Sequence, residues 1–297
     1  MPTMTIPTPP YFKFWPTVTS HGWCVLPPFG YHPQQRLLER IQQLSDGAIV
    51  RLLIGEGESG LHVVVEGVQV LTPEQSQEIA HIVRRCLNMD TDLSGLYALL
   101  RDYPQYHWIE QVGAGRMLAS PTIWEDLVKT LMTTNTTWNM TKQMVRRVVE
   151  LGDAYAEGQR AFPTPERLAA MSLEALSEQV RAGYRNAYLH ALATHIAEGR
   201  LDVESWRDAG LTAEEMYRQI KALKGFGPYA AGSMLKLLGY FDQLATDTEC
   251  RAVFKARYNN GAGATDREIA AYYEPFGQWR GLVQWMDVMK ESLVSAG

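Results

Sequence analysis

A glycine-punctuated turn followed by an acid is the part of the sequence best placed to do chemistry. The stretch "LKGFGPYAAG" spans residues 223–232, and Gly225 and Gly227 in it allow a tight backbone turn. Pro228 suits the first position of a following helix. Backbone N–H groups at such a turn, together with the N-terminal dipole of the helix, form a site for a phosphate that needs no particular side chain.

Local charge agrees with a phosphate partner. Residues 216–241 contain no Asp or Glu, and they carry four basic residues: Arg218, Lys221, Lys224 and Lys236. The formal net charge of −5 argues against non-specific coating of nucleic acid, so any such site must be local. The alternative is an ordinary turn between two helices with solvated lysines.

Asp247 follows the helix after this turn. A short carboxylate beside an anchored sugar-phosphate backbone suits the breaking of a glycosidic bond, because it can stabilise an oxocarbenium-like cation or activate water. The simpler interpretation makes Asp247 the N-cap of a helix beginning near Glu249. The two roles are compatible.

Composition limits the class of protein. With 297 residues, 46% hydrophobic and 21% charged, the chain reads as globular, and it has no apolar run long enough to span a membrane. The start lacks the features of a secretory signal, and three distant cysteines cannot form a disulfide framework, so we expect a cytoplasmic protein. Cys24, Cys86 and Cys250 are too few for a four-thiolate cluster, and no iron–sulfur cluster is expected.

The pattern predicts an α+β fold, with a small N-terminal β-sheet domain and then a mostly helical body. Three β-rich segments are predicted at 21–29, 48–57 and 61–67, and helices take over after Leu71. Capped helix starts are expected at Thr72, Thr164 and Thr212. The predicted division is 1–73 for the β-rich domain, 74–115 for a helical segment packing with the C-terminal lobe, 116–248 for the helical domain with the hairpin, and 249–297 for the C-terminal lobe.

The segment 223–251, "LKGFGPYAAGSMLKLLGYFDQLATDTECR", resembles the hairpin-plus-aspartate signature of the helix-hairpin-helix DNA glycosylase superfamily. Three further segments, "PTIWEDLVKTLMTTNTTW", "AGYRNAYLHALATHI" and "YYEPFGQWRGLVQWMDV", are similar and occur in the family's order. The layout is most similar to 8-oxoguanine DNA glycosylases and to alkylation-repair glycosylases of the 3-methyladenine type. The resemblance implies excision of a damaged base from double-stranded DNA, by a monomer that needs no redox cofactor.

The resemblance also implies roles for individual residues. Asp247 occupies the position of the family's catalytic aspartate. Lys224 and the hairpin glycines, Gly225 and Gly227, occupy positions that contact the DNA backbone. Asn135 falls where relatives fill the gap left by a flipped base, and Tyr184 where they wedge the opposite strand. The simpler interpretations are a helix C-cap for Asn135 and a surface aromatic for Tyr184. A structural Na⁺ or K⁺ is implied at three backbone carbonyls, those of Lys221, Leu223 and Phe226.

Tyr229 occupies the position where lyase-competent relatives carry a lysine nucleophile. A phenol cannot form a Schiff base, so the resemblance implies a monofunctional glycosylase that uses water. The rival from another class is a helix-hairpin-helix DNA-binding protein that has lost catalysis.

The implied base pocket contains Trp285, Ser233 and Gly281. Gly281 stands where the oxidised-guanine enzymes have a base-reading glutamine, and Ser233 replaces a stacking cysteine. Trp285 offers an aromatic face that attracts a cationic purine more than a neutral one, unless it only packs in the core. The sequence therefore predicts a preference for alkylated purines, with an 8-oxoguanine-type activity as the alternative.

Overall fold

The computed structural model describes residues 1–296, and its N-terminal part is a five-stranded antiparallel sheet. The strands are β1 (Thr3–Ile6), β2 (Phe29–His32), β3 (Leu37–Gln43), β4 (Ile49–Gly57) and β5 (Gly60–Glu66). They lie in the order β1-β5-β4-β3-β2. Val50, Leu52 and Ile54 alternate with more exposed residues along β4 and are buried, so one face of the sheet forms core.

Two of the three predicted β segments are confirmed as β4 and β5. The prediction for residues 21–29 is wrong, because this segment forms a 3₁₀ turn over Gly22–Val25, and only Phe29 belongs to a strand. Pro27 and Pro28 lack the N–H groups that a ladder requires. The turn instead directs the buried side chain of Trp23 towards the helices.

Helices dominate the rest of the chain. They are α1 (Phe14–Val18), α2 (Pro73–Cys86), α3 (Ser94–Leu100), α4 (His107–Val112), α5 (Ile123–Thr133), α6 (Trp138–Val149), α7 (Pro165–Ala169), α8 (Leu173–Val180), α9 (Arg185–Ala197), α10 (Ala213–Ala222), α11 (Pro228–Leu237), α12 (Thr248–Tyr258), α13 (Asp266–Tyr273) and α14 (Arg280–Ala296). The side chains of Thr72, Thr164 and Thr212 accept hydrogen bonds from first-turn N–H groups, which confirms the three predicted caps. Within residues 1–296 no helix is both long and apolar enough to cross a membrane.

One apolar core connects the sheet with the helices. Two short strands inside the helical region, β6 (Ala154–Ala156) and β7 (Gln159–Arg160), pack against β4 and β3. Tyr106, from the segment 74–115, lies in the C-terminal lobe and donates a hydrogen bond to Asp287 of α14 at 2.7 Å. The regions delimited in the sequence therefore share interfaces.

A buried ion network joins the sheet to the helical body. Glu125 of α5 accepts hydrogen bonds from Arg40 of β3 at 2.7 Å and from Lys129, one turn further along α5, at 2.7 Å. All three side chains are at most 2% exposed. Although burial acts in the opposite sense, the two cations hold the pKa of Glu125 at about 2. The carboxylate is therefore charged, and removing it would leave two buried cations without a counter-ion.

Glu125→Gln should lower the free energy of unfolding by about 3–5 kcal/mol, because it removes one partner of a buried ion cluster. Urea denaturation followed by circular dichroism measures the change. Glu58→Gln, at an exposed position, is the matched control and should stay within about 0.5 kcal/mol of the wild type. A loss under about 1 kcal/mol for Glu125→Gln would show that the network contributes little.

Candidate active site

The predicted hairpin is present between α10 and α11. Gly225 has φ +93°, and a Cβ there would lie 2.6 Å from Leu131 and 2.8 Å from Tyr188, so the turn requires glycine for two reasons. Phe226 is buried and its N–H donates to the Leu223 carbonyl at 3.2 Å. Gly227 is exposed, with open space where a side chain would begin. The turn therefore anchors its apolar residue and leaves its backbone accessible.

The four basic residues around the hairpin do not form one surface. Arg218, Lys221 and Lys224 are exposed, as a phosphate-facing role requires. Lys236 is only 2% exposed and donates a hydrogen bond to the Gly232 carbonyl at 3.1 Å. The assignment of Lys236 to this basic surface is therefore wrong. It follows Tyr229 by seven residues along α11, which brings it back to the same helix face.

Asp247 is the N-cap of α12, as the simpler interpretation held. Its Oδ1 accepts a hydrogen bond from the Cys250 N–H at 2.8 Å, and the side chain is half-buried. The Cys250 thiol also lies close enough to interact with the Asp247 side chain. Burial and, next, the charge of Asp247 raise the pKa of Tyr229. Asp247 thus lies within electrostatic reach of the tyrosine at the lyase position.

A small cavity of about 40 Å³ lies beside this end of α11. Its lining includes His21, Trp23, Tyr229, Ser233, Lys236 and Trp285. A cavity of this volume holds only a few water molecules, so a purine enters only if lining side chains move. An open cleft of about 460 Å³ beside Tyr240 and Trp279 contains none of the predicted site residues.

The three residues of the predicted base pocket separate into two groups. Trp285 and Ser233 line the cavity, and the half-buried indole of Trp285 donates to the Ser20 carbonyl at 3.1 Å. Gly281 does not line it. A Cβ at Gly281 would lie 2.1 Å from the Gln243 carbonyl oxygen, and its N–H donates to the Phe241 carbonyl at 2.7 Å. Glycine is required there by the close approach of α14 to the loop before Asp247.

His21 also lines the cavity, although no motif in the sequence predicted it there. The imidazole is 7% exposed, and burial followed by the charge of Lys129 lowers its pKa to about 3, so the ring is neutral. Within residues 1–296 its Nε2 has no hydrogen-bond partner. Lys236, by contrast, could have been noticed in the sequence as a candidate site residue, because it is the one charged residue in the apolar run "AAGSMLKLLGY".

Asn135 and Tyr184 come together at an exposed site. Asn135 follows α5 with φ +44°, and its Nδ2 donates to the Tyr184 hydroxyl at 3.4 Å. Tyr184 is 51% exposed, and the Arg185 guanidinium lies 4.6 Å from its ring centroid. The geometry agrees with a helix-terminal Asn135 and a surface Tyr184, and it also places the two predicted wedge residues side by side.

Across residues 1–296, His, Cys, Asp and Glu side chains form no group of three or more arranged to hold a metal ion. Cys24, Cys86 and Cys250 are free, buried thiols. The hairpin offers carbonyl oxygens rather than side chains, which is the type of ligand that a hard monovalent or divalent cation takes.

Sequence comparison connects the hairpin region with DNA repair proteins. A family model described as "HhH-GPD superfamily base excision DNA repair protein" matches residues 128–278, which include the hairpin and Asp247. No curated protein matches the sequence significantly.

The fold is similar to those of several DNA glycosylase structures. The 3-methyladenine DNA glycosylase from Archaeoglobus fulgidus superposes with a TM-score of 0.73 at 19% identity, covering 99% of each chain. An 8-oxoguanine glycosylase/lyase from Clostridium acetobutylicum, in complex with double-stranded DNA containing cytosine opposite 8-oxoG, gives 0.70 at 18% identity, covering 95% of this chain and 93% of that one. MBOgg1 in complex with a low-affinity DNA ligand gives 0.73 at 17% identity, covering 98% and 96%. At identities this low, the structural similarity establishes the fold alone.

Lys236→Met should change how stability depends on pH. Burial lowers the pKa of Lys236 from 10.5 to about 8. Between these values the unfolded chain binds a proton that the folded chain has released, so wild-type stability gains from rising pH. From pH 7 to 11 the wild type should gain about 3 kcal/mol more than Lys236→Met. Urea denaturation at each pH measures this, and the exposed Lys221→Met is the control. Parallel curves for wild type and Lys236→Met would contradict the prediction.

Proposed function

We propose that this chain, which belongs to the HhH-GPD superfamily of base excision DNA repair proteins, is a monofunctional DNA glycosylase that releases a damaged purine from double-stranded DNA. One observation carries the proposal: α11 begins at the hairpin and leads into the cavity, while Asp247 begins α12 within electrostatic reach of Tyr229. A backbone site for phosphate, a carboxylate for the sugar and a pocket for the base thereby meet around one helix.

The proposed reaction is hydrolysis at C1′ of the flipped nucleotide. The bond from C1′ to the base nitrogen breaks, and its electron pair leaves with the base. Asp247 stabilises the resulting oxocarbenium-like sugar, and its Oδ2 takes a proton from the water that bonds to C1′. Solvent returns that proton to the departing base. The products are a free base and an abasic site.

The hydrogen bond from Cys250 supports this role for Asp247. It fixes Oδ1 at 2.8 Å from the backbone nitrogen, so the carboxylate is oriented before DNA arrives. A charge that is already oriented stabilises a developing cation without the cost of reorganisation. The cap and the catalytic role are therefore complementary.

Asn135 and Tyr184 are proposed to open the duplex. Extrusion of a nucleotide leaves an unstacked gap that costs a few kcal/mol unless a side chain fills it. The Asn135 amide is exposed at the end of α5, and the Tyr184 ring lies beside it. In this proposal Asn135 enters the gap and Tyr184 separates the neighbouring pair on the opposite strand.

A monovalent cation at the hairpin is also proposed. The carbonyls of Lys221, Leu223 and Phe226 would hold it. The tight turn keeps two of these residues close together, because the Phe226 N–H donates a hydrogen bond to the Leu223 carbonyl at 3.2 Å. When bound, the cation would supply positive charge to a DNA phosphate. The chain's own part is to present these oxygens and the exposed amide of Gly227.

The preference among purines depends on the pocket. The stacking face of Trp285 in the cavity supports the alkylated purines predicted from the sequence. That prediction also assumed a pocket without polar readers, and Lys236 and His21 now supply two. An ammonium group repels a cationic base, so Lys236 favours the alternative, a neutral base of the 8-oxoguanine type.

Asp247→Asn should lower base release by several orders of magnitude and leave duplex affinity unchanged or slightly higher, because an anion near phosphates is removed. Release of free base under single-turnover conditions measures the rate. Fluorescence anisotropy with a duplex containing an abasic-site analogue measures the affinity. Asparagine caps a helix about as well as aspartate, so stability should hold.

Glu249→Gln is the matched control for this variant, since it removes an exposed carboxylate from the same turn of α12. Its rate should stay close to that of the wild type. Near-wild-type release by Asp247→Asn would refute the catalytic assignment. If the wild type releases no base from any lesion duplex yet binds DNA, the non-catalytic DNA-binding alternative holds.

No strand cleavage should accompany base release. Because Tyr229 cannot form an imine with the sugar, borohydride should trap no covalent protein–DNA complex, and strands should break only after alkali is added. Denaturing gels measure both. Trapping that disappears in Lys224→Ala or in Lys236→Ala would identify the lysine responsible and contradict the monofunctional assignment.

A further inference from the structure

We infer that His21 and Lys236 read the flipped base, presenting two hydrogen-bond donors that select a neutral purine bearing a carbonyl oxygen at the lesion. Such bases are 8-oxoguanine, through O8, and hypoxanthine, through O6. The inference rests on the proposed function, because it assigns a specificity to the cavity into which that function places the base.

His21 is held as a donor facing the cavity. Its Nδ1 lies 3.1 Å from the Ser20 hydroxyl, whose oxygen already accepts from the Leu118 N–H at 2.9 Å. Nδ1 is the acceptor within reach of the Ser20 hydroxyl, so we assign the Ser20 hydrogen to Nδ1 and the proton of the neutral ring to Nε2. This Nε2–H is buried and lacks a partner within the described residues. An unpaired buried donor is costly, and an incoming acceptor removes that cost.

Two indoles fix the imidazole in this orientation. The Trp23 ring lies 4.7 Å from it, centroid to centroid, and the Trp285 ring approaches at 6.3 Å and 85°. Both indoles are themselves anchored, Trp23 through Asp126 at 2.8 Å and Trp285 through the Ser20 carbonyl at 3.1 Å. The donor is thus preorganised, a condition for discriminating between similar bases.

Lys236 supplies the second donor. Its ammonium group has three N–H bonds, of which one is used by the Gly232 carbonyl. The side chain reaches back along α11 into the cavity that His21 also lines. Burying this ammonium group costs stability, because the charge loses its contact with water. A methionine of similar length would fill the same space without that cost. A polar ligand that enters the cavity would offset that cost.

The remaining hydroxyls of the lining are partly satisfied within the protein. Thr133 Oγ1 donates to the Thr130 carbonyl at 2.7 Å, and Thr130 Oγ1 lies 3.2 Å from the Met234 sulfur. The Tyr229 hydroxyl interacts with the Ser233 and Thr133 side chains. His21 and Lys236 are the nitrogen donors of the lining with spare capacity. A carbonyl oxygen accepts from both, whereas guanine presents C8–H where 8-oxoguanine presents O8, and adenine presents an amino group where hypoxanthine presents O6. Guanine that presents its C8 edge to the donors, or adenine that presents its C6 edge, leaves them unpaired.

The test compares substrates and variants under single-turnover conditions. Duplexes of one sequence carry 8-oxoguanine, hypoxanthine or the cationic 3-methyladenine, which has no carbonyl group. His21→Phe, which keeps an aromatic ring but removes the donor, should slow release of at least one of the two carbonyl-bearing bases about 10- to 100-fold. It should change 3-methyladenine release less than about threefold. His21→Gln, which restores an N–H, should recover much of the loss.

Lys236→Met provides the second, independent arm. It should slow release of the same carbonyl-bearing base. It should accelerate release of 3-methyladenine, because a positive charge that repels this cationic base is removed. The substrate whose release slows more, 8-oxoguanine or hypoxanthine, identifies whether O8 or O6 is read. Circular dichroism and affinity for an abasic-site analogue establish folding and DNA binding of every variant.

Two failures are distinguishable. If the wild type releases bases but His21→Phe and Lys236→Met slow all three substrates equally, or none, the two residues are not readers and the inference is overturned while the glycosylase assignment stands. If the wild type releases no base from any duplex, the proposed function fails and the inference fails with it. A misfolded His21→Phe leaves the decision to His21→Gln and Lys236→Met.

Discussion

The charge pairing around Glu125 is the constraint on which the arrangement of the molecule depends. One carboxylate, buried in α5, binds Arg40 from the sheet and Lys129 from its own helix. The neighbouring Asp126 binds the Trp23 indole. Two successive acids on one helix therefore attach two separate parts of the N-terminal region. Because unpaired buried charges are so unfavourable, this attachment has essentially one geometry.

That geometry carries through to the candidate site. Trp23 packs beside His21, so fixing Trp23 on α5 also fixes the imidazole in the cavity. The far end of α5 leads to Asn135, at the exposed site beside Tyr184. The same helix therefore spans from the buried ion network to the surface proposed to meet DNA. The turn that precedes β2, far from Asp247 in sequence, is in this way part of the pocket wall.

Local patterns in the sequence predicted local structure well. The hairpin glycines, the capped helix starts and Asp247 as an N-cap depend on residues a few positions apart, and all are found. The family resemblance added Trp285 and Ser233, which line the cavity. Gly281 lies outside the cavity lining, because the Gln243 carbonyl takes the space beside it, a contact that spacing alone does not reveal. His21 was missed for the same reason, since its neighbours come from distant segments.

The bond between Trp285 and the Ser20 carbonyl has a consequence for synthesis of the protein. It joins residues 265 positions apart, and it closes a wall of the cavity. A ribosome therefore completes the hairpin and Asp247 well before α14 emerges to supply Trp285. A nascent chain can acquire its hairpin early, but the wall of the cavity is complete only once residue 285 has emerged from the ribosome.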